Sequence, residues 1–290
     1  MKPSTARLKE ILRERRAVLV PGAFNALSAR LIADLEFEAI YVTGAGLANS
    51  FLGVPDIGLL TLTELAENVA AIRDVVDLPL IVDADTGFGN PINAIRTVRL
   101  LERVGADAIQ IEDQVFPKKC GHFSGKGVIP PEAFVAKIKA VADTRDHLLI
   151  VARTDARAIH GLDAAIERAQ RYLEAGADAI FIEAPHSEEE MRQMTRQVDA
   201  AHVANMVIGG LTPQLAQARL ADCGFSIVLY ANAALQGAIL GIQSALSRLK
   251  MDGHLDEASG LTATFAARQL AVRKPYFDEL EKKYPESPGT

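Results

Sequence analysis

Short, nearly continuous apolar runs alternate along the chain with longer stretches in which apolar residues return at helical spacing. The runs are Ala17–Val20, Ala39–Thr43, Leu80–Asp83, Ala108–Glu112, Leu148–Arg153, Ala179–Glu183, Val203–Val207 and Ser226–Tyr230. Parallel strands covered by helices on both faces read this way. Helices are predicted between them over Leu62–Val76, Pro91–Val104, Pro131–Ala142, Leu162–Ala175, Glu188–Val198 and Pro213–Asp222. Strands alternating with helices in this number predict an α/β fold, a closed (β/α)8 TIM barrel. The charged segment 1–16 has a helical pattern of its own. So has Gly237 to Tyr284, which is longer than a last barrel helix needs. The expectation is one barrel domain over 1–290, with 237–284 as a C-terminal helical extension.

One stretch repeats. Gly-Ala-Asp-Ala-Ile-Gln-Ile-Glu at 105–112 returns as Gly-Ala-Asp-Ala-Ile-Phe-Ile-Glu at 176–183, each copy after a predicted helix. Two copies of one strand–helix unit suit a barrel. Common loop chemistry, with Gly closing a helix, reads equally well.

Composition narrows the class. With 290 residues, 49% apolar and 23% charged, the chain has an ordinary globular make-up and can bury a full core. The net charge is -6 and basic residues cluster only in pairs such as Arg15-Arg16 and Lys118-Lys119, which argues against nucleic acid as a partner. No run approaches the ~18 apolar residues of a membrane span. Two cysteines, Cys120 and Cys223, suit a reducing compartment, and a cytoplasmic location is expected.

Polar residues gather at the C-terminal ends of the predicted strands: Tyr41 and Thr43, Asp83 and Asp85, Glu112, Arg153 and Asp155, Glu183, Asn205. In a barrel these ends share the face that carries chemistry. Asp83 and Asp85, two apart on a strand, point the same way. With Glu112 they make an all-oxygen set without His or Cys, the donor type of Mg2+ or Mn2+ rather than Zn2+. Loop caps and ion pairs within the barrel are the alternative. Arg153 has the planar fork that grips a carboxylate, unless Asp155 or Glu183 holds it in a salt bridge. The glycine-rich segment from Phe116 to Gly127 has the make-up of a loop that closes over a barrel mouth. Within it Cys120 has Lys118, Lys119 and His122 as neighbours, and positive charge activates a thiol. A spectator thiol in a basic loop is the other reading. Cys223 lacks such company and is expected in the core.

Together these residues resemble the isocitrate lyase/phosphoenolpyruvate mutase superfamily over about residues 5–240. The matching pieces are Tyr41-Val-Thr-Gly, Gly53-Val-Pro-Asp56, Val82-Asp-Ala-Asp-Thr-Gly-Phe-Gly89, Ile111-Glu-Asp-Gln114, Lys118-Lys-Cys-Gly-His122 and Ala152-Arg-Thr-Asp155. The Lys-Lys-Cys-Gly-His motif marks the branch that cuts C–C bonds. The resemblance implies that Asp83 and Asp85, with Glu112 in an outer layer, hold Mg2+, for which Mn2+ can substitute. It implies catalytic roles for Tyr41, Lys118, Cys120, His122 and Arg153, with Cys120 protonating an enolate and Tyr41 lying near the 2-hydroxyl, where base chemistry is needed. Thr43, Gly44, Ala45, Asp56, Gly121, Arg153, Glu183 and Asn205 are the implied substrate contacts. Such enzymes are usually homotetramers that exchange C-terminal helices, which the long tail suits.

The chain departs from members that cleave tricarboxylates. They carry an Arg shortly after strand eight, where this chain has Gln236, and Thr and Glu beside the residue matching Asn205, where it reads Met206-Val-Ile. A buried carboxylate without a partner costs too much. The expected substrate is therefore a small 2-hydroxy dicarboxylate, a 2-alkylmalate or 2,3-dimethylmalate, cleaved to a 2-oxo acid such as pyruvate and a carboxylic acid. The alternatives are 2-methylisocitrate cleavage, with Arg268 or Arg273 meeting the third carboxylate, and oxaloacetate hydrolysis or decarboxylation. Phosphonate chemistry is disfavoured by the Lys-Lys-Cys-Gly-His loop, and a barrel without turnover by the intact set of Asp83, Asp85, Arg153 and Cys120.

Overall fold

The computed structural model describes residues 2–119 and 125–285. The chain forms two compact units, 1–235 and 236–290. The first is a closed barrel of parallel strands in sequence order, as the alternating pattern predicts. The strands are β1 (Val18–Ala23), β2 (Ile40–Val42), β3 (Leu80–Asp83), β4 (Ala108–Glu112), β5 (Leu149–Thr154), β6 (Ala179–Ile182), β7 (Ala201–Asn205) and β8 (Ile227–Tyr230). Helix α1 (Pro3–Glu14) precedes the barrel. After β1 comes α2 (Ala26–Asp34), and after β2 come α3 (Gly44–Leu47), a π-helical turn (Ala48–Leu52) and α4 (Leu62–Arg73). Then follow α5 (Pro91–Arg103), α6 (Pro131–Thr144), α7 (Arg157–His160), α8 (Leu162–Glu174), α9 (Glu188–Gln197) and α10 (Gln217–Asp222). Helix α11 (Ala233–Asp252) leads into the second unit, which holds α12 (Phe265–Ala271) and α13 (Lys274–Lys283). Among the described residues no helix is long and apolar enough to cross a membrane.

The two-residue period of a strand sorts the core into two layers. Ile40, Val42, Val82, Ile109, Ile111, Ile150 and Ile180 face the helices. Tyr41, Ile81, Ala108, Val151, Phe181, Val203 and Leu229 face the barrel axis, where α1 adds Leu8, Ile11 and Leu12. Burial of each such aliphatic side chain contributes roughly 1.5–3 kcal/mol. The inward positions continue upward into Asp83, Glu112 and Arg153, so the alternation that fills the barrel also delivers charge to its C-terminal mouth.

Three elements differ from expectation. The first strand does not stop at Pro21-Gly22 but runs through them: Pro21 stands opposite Tyr230 of β8, and Gly22 then pairs with β2. A Cβ on Gly22 would lie 1.9 Å from the Ala231 carbonyl oxygen, so only glycine closes the seam. Helix α2 was not expected because its apolar residues point the wrong way. Leu27, Leu31 and Leu35 are exposed while Ser28, Ala29 and Ile32 are buried. Asn25 starts it through a capping box with Ser28, whose amide lies 2.8 Å from Asn25 Oδ1. Helix α10 starts at Gln217 rather than Pro213.

The repeated segment proves to be barrel-bottom chemistry. Gly105 and Gly176 turn each helix into the next strand with φ of 104° and 111°. Asp107 then accepts from the Leu80 amide at 2.9 Å, from Thr5 at 2.7 Å and from Arg73 at 2.7 Å. Asp178 repeats this with the Ile150 amide at 2.8 Å and with Arg145. Asp107 is fully buried and Asp178 is not. Asp107→Ala is therefore expected to cost about 3–5 kcal/mol, because it strands buried partners. Asp178→Ala should cost about 1 kcal/mol or less. Urea unfolding of the two variants checks this; equal losses would contradict it.

Candidate active site

At the C-terminal mouth Tyr41, Thr43, Ala45, Asp56, Asp83 and Glu112 line one open cavity with Lys118, Arg153, Glu183 and Asn205. Its free volume is about 60 Å3. Gly44 reaches the site through its backbone, with its amide 3.3 Å from Asp83 Oδ2. Asp85 stands beside the wall, paired with Lys118. Cys120, Gly121 and His122 lie outside the described residues.

The charged groups are buried and interlocked. Lys118 Nζ lies 2.7 Å from Asp85 Oδ1 and 2.5 Å from Asp56 Oδ1. Arg153 offers one edge to Asp155, Nε at 2.9 Å and Nη2 at 3.1 Å, and stands 3.4 Å from both Glu112 and Glu183. Both sequence-level readings of Arg153 are thus compatible: it is salt-bridged, yet it lines the cavity, and its Nη1 makes no hydrogen bond among the described residues. Its guanidinium also lies over the Phe181 ring, 5.0 Å from the centroid. Lys126 adds a second cation to Asp155 at 2.9 Å. Asp155 is fixed in turn by Asp113, which accepts from its amide at 3.0 Å and from Thr154, Tyr172 and Arg168 at 2.7, 2.7 and 2.9 Å.

Burial pushes the Asp85 carboxyl up to about 7, opposed by Lys118, and pushes Glu112 well up, opposed by Arg153. Burial, followed by the Asp83 charge, also holds the Tyr41 phenol well above its usual range. The Tyr41 hydroxyl donates to Gln110 Oε1 at 2.7 Å.

The donors fit a hard divalent cation by chemistry. Four carboxylates in the wall, Asp56, Asp83, Glu112 and Glu183, face three cations, Lys118, Lys119 and Arg153. Glu112 Oε1 is buried without a hydrogen-bond partner among the described residues. A dianionic acid entering such a site needs more positive charge than these side chains supply. Among the described residues no three carboxylate, imidazole or thiol side chains are gathered tightly enough to hold a metal. Lys118 supplies the positive charge at Asp85. Asp85, Phe88 and Ala184 hold left-handed backbone (φ 47°, 57° and 56°), strain of the kind that collects at functional sites.

Several pocket residues were not singled out from sequence: Gln110, Lys126, Phe181, Val207, Leu229, Ala231 and Asn232. Counting back by two from Glu112 and Glu183 finds Gln110 and Phe181. The others come from loops or apolar strand ends that carry no chemical signature.

A parallel barrel with carboxylates, a lysine and an arginine around its C-terminal mouth defines a class of enzymes acting on small acids. The chain belongs to the phosphoenolpyruvate phosphomutase family, whose model matches residues 8–250. It is 45% identical over 283 residues to 2,3-dimethylmalate lyase of Eubacterium barkeri, covering 97% of this chain and 98% of that one. It is 48% identical over 246 residues to 2-methylisocitrate lyase of Aeropyrum pernix, covering 85% and 80%. A crystal structure of 2,3-dimethylmalate lyase, a PEP mutase/isocitrate lyase superfamily member, superposes with a TM-score of 0.92 at 32% identity, covering 98% and 96%. Phosphonopyruvate hydrolase, in complex with oxalate and Mg2+, superposes with a TM-score of 0.87 at 29% identity, covering 98% and 99%. The expected resemblance and the carbon–carbon lyase class agree with these relatives.

If Lys118 occupies charge that a metal shares, its removal exposes the need. Lys118→Met should lower the melting temperature of metal-free protein, by the equivalent of roughly 3–5 kcal/mol for buried carboxylates left unpaired. Added Mg2+ should then raise the melting temperature of the variant more than that of the parent. Equal Mg2+ responses would contradict the shared role.

Proposed function

We propose that the protein is a Mg2+-dependent lyase that cleaves a small 2-hydroxy dicarboxylate, of the 2-alkylmalate or 2,3-dimethylmalate type, to a 2-oxo acid such as pyruvate and a second carboxylic acid. The observation that carries this reading is the mixed lining of the pocket, in which Phe181, Val207, Leu229 and Ala231 stand among the charged groups. An alkyl substituent fits against these apolar side chains, where an unpaired carboxylate would cost several kcal/mol. A second reading, 2-methylisocitrate, is favoured by the Aeropyrum pernix relative and by Lys119 in the wall, a cation that a third carboxylate can meet.

In this reading Asp83 and Asp85 hold Mg2+, with Glu112 behind them, and Mn2+ substitutes. The ion would supply positive charge for the carboxylate and C2 oxygen of the substrate. Arg153 adds to that charge through Nη1. Thr43, Gly44, Ala45, Asp56 and Gly121 shape the rest of the pocket, and Glu183 fixes Asn205 by accepting from its amide at 3.2 Å. Cleavage moves the proton of the 2-hydroxyl to a carboxylate of the pocket wall, forms the C2 carbonyl and breaks the C2–C3 bond. The electron pair leaves on C3 as the enolate of the departing acid. Cys120 gives its thiol proton to C3, and Lys118 and His122 favour the thiolate that remains. One proton leaves oxygen and one arrives at carbon, so no co-reactant is needed.

Among the described residues, 13 of the 25 exposed large apolar side chains lie in 236–285, less than a fifth of the chain. This excess supports self-association, and the family resemblance makes a homotetramer with exchanged C-terminal helices the expected form. Light scattering should give four times the chain mass of 31.2 kDa; a monomer at working concentration would contradict it.

A panel of 2-hydroxy acids with Mg2+, read by 2-oxo acid release, tests the activity. Turnover should be best on a 2-alkylmalate and should vanish with excess chelator. Full turnover in chelator, or turnover on no member of the panel, would sink the reading.

Cys120→Ser should bind substrate and metal as the parent does yet turn over ~10²–10⁴-fold more slowly, the usual cost of a lost positioned acid. A parent-like kcat would mean that Cys120 is a spectator.

A further inference from the structure

Below the pocket the barrel interior is apolar, walled by Val20, Ile81, Val151, Val203 and Ile227. Gln110 stands in this layer, wholly buried, with both ends of its amide engaged. Its Nε2 donates to Asp83 Oδ1 at 3.2 Å, and its Oε1 accepts from the Tyr41 hydroxyl at 2.7 Å. Asp83 also accepts from the Asp85 and Gly44 amides. The NH2 end of Gln110 faces this acceptor, its carbonyl faces Tyr41, and the Tyr41 hydroxyl donates to that carbonyl. What Tyr41 shows the pocket is then an oxygen with lone pairs and no proton to give.

The internal repeat isolates this position. The two eight-residue copies differ only here, Gln110 in one and Phe181 in the other. The fold thus accepts an apolar side chain at the equivalent inward site. The amide is not needed to fill the barrel.

We propose that Gln110 is a positioning residue that holds Tyr41 as a hydrogen-bond acceptor toward the substrate, so that the pocket favours a hydroxyl over an oxo group at that place. The inference rests on the reading of the site as a 2-hydroxy acid pocket. A hydroxyl donates to the Tyr41 oxygen, whereas an oxo group opposes one lone pair with another. A site built around one hydrogen bond discriminates against the analogue lacking it, here by roughly 10–100-fold in relative affinity.

The test measures Kd for lactate and for pyruvate, the same skeleton with hydroxyl or oxo at C2, by titration in Mg2+. In Gln110→Met the Tyr41 proton is free to turn toward the pocket. The lactate-to-pyruvate affinity ratio should fall about tenfold or more from the parent value. Gln110→Glu keeps an acceptor for Tyr41 and should keep the parent ratio. In Tyr41→Phe the ratio should fall, and adding Gln110→Met to it should change nothing further. A merely structural glutamine would weaken both ligands alike and leave the ratio unmoved in every variant, which overturns the inference. If Gln110→Met does not fold, the ratios of Gln110→Glu and Tyr41→Phe decide, because a parent-like ratio in Tyr41→Phe overturns it equally. Failure of the parent to bind either acid would instead overturn the proposed function itself.

Discussion

Asp83, Glu112, Arg153 and Glu183 are held away from bulk water at the end of an apolar barrel, where an unpaired charge costs several kcal/mol. The structure meets that constraint by interlocking. Arg153 stands between Asp155, Glu112 and Glu183; Lys118 joins Asp56 to Asp85; Lys126 doubles the cation at Asp155. Each group is fixed by a neighbour that would itself be exposed to the penalty if the first moved. Behind them Asp113 ties β4 to β5 and α8 through Thr154, Arg168 and Tyr172. The rigidity of the site therefore comes from solvation physics as much as from packing.

The same constraint shapes what the pocket offers a ligand. Among the described residues Arg153 donates only through Nε and Nη2, and Tyr41 and Asn205 are turned so that their protons serve protein acceptors. The proposed substrate, a dianion with a hydroxyl accompanied by a divalent cation, would complement these features.

Much of the barrel was legible because the two-residue period of a strand and the helical period are both imposed by burial. Asp83, Glu112 and Arg153 could be assigned to one face from their place at strand ends alone. Burial misleads where side chains are small or backbones close. The core face of α2 is built on Ser28 and Ala29, so its leucines advertise the solvent side. Pro21-Gly22 reads as a stop but is a seam, since the absent Cβ of Gly22 is what the neighbouring backbone requires. Gln110 is hidden by its own strand: a single amide in an apolar run looks like noise until its partners are known. Apolar specificity residues such as Val207 and Leu229 differ in no chemical respect from core residues, and only their position beside the charged cluster distinguishes them.

The closing seam has a consequence for how the chain is made. β1 pairs on one side with β8, roughly 200 positions further along, and the contact between Gly22 and Ala231 belongs to that junction. During synthesis from the N-terminus β1 is complete early but keeps one edge of unpaired backbone groups until Ile227–Tyr230 has emerged. Such an edge is a template for pairing with other chains. A nascent chain ending before residue 227 holds an open sheet with two free edges rather than a smaller barrel.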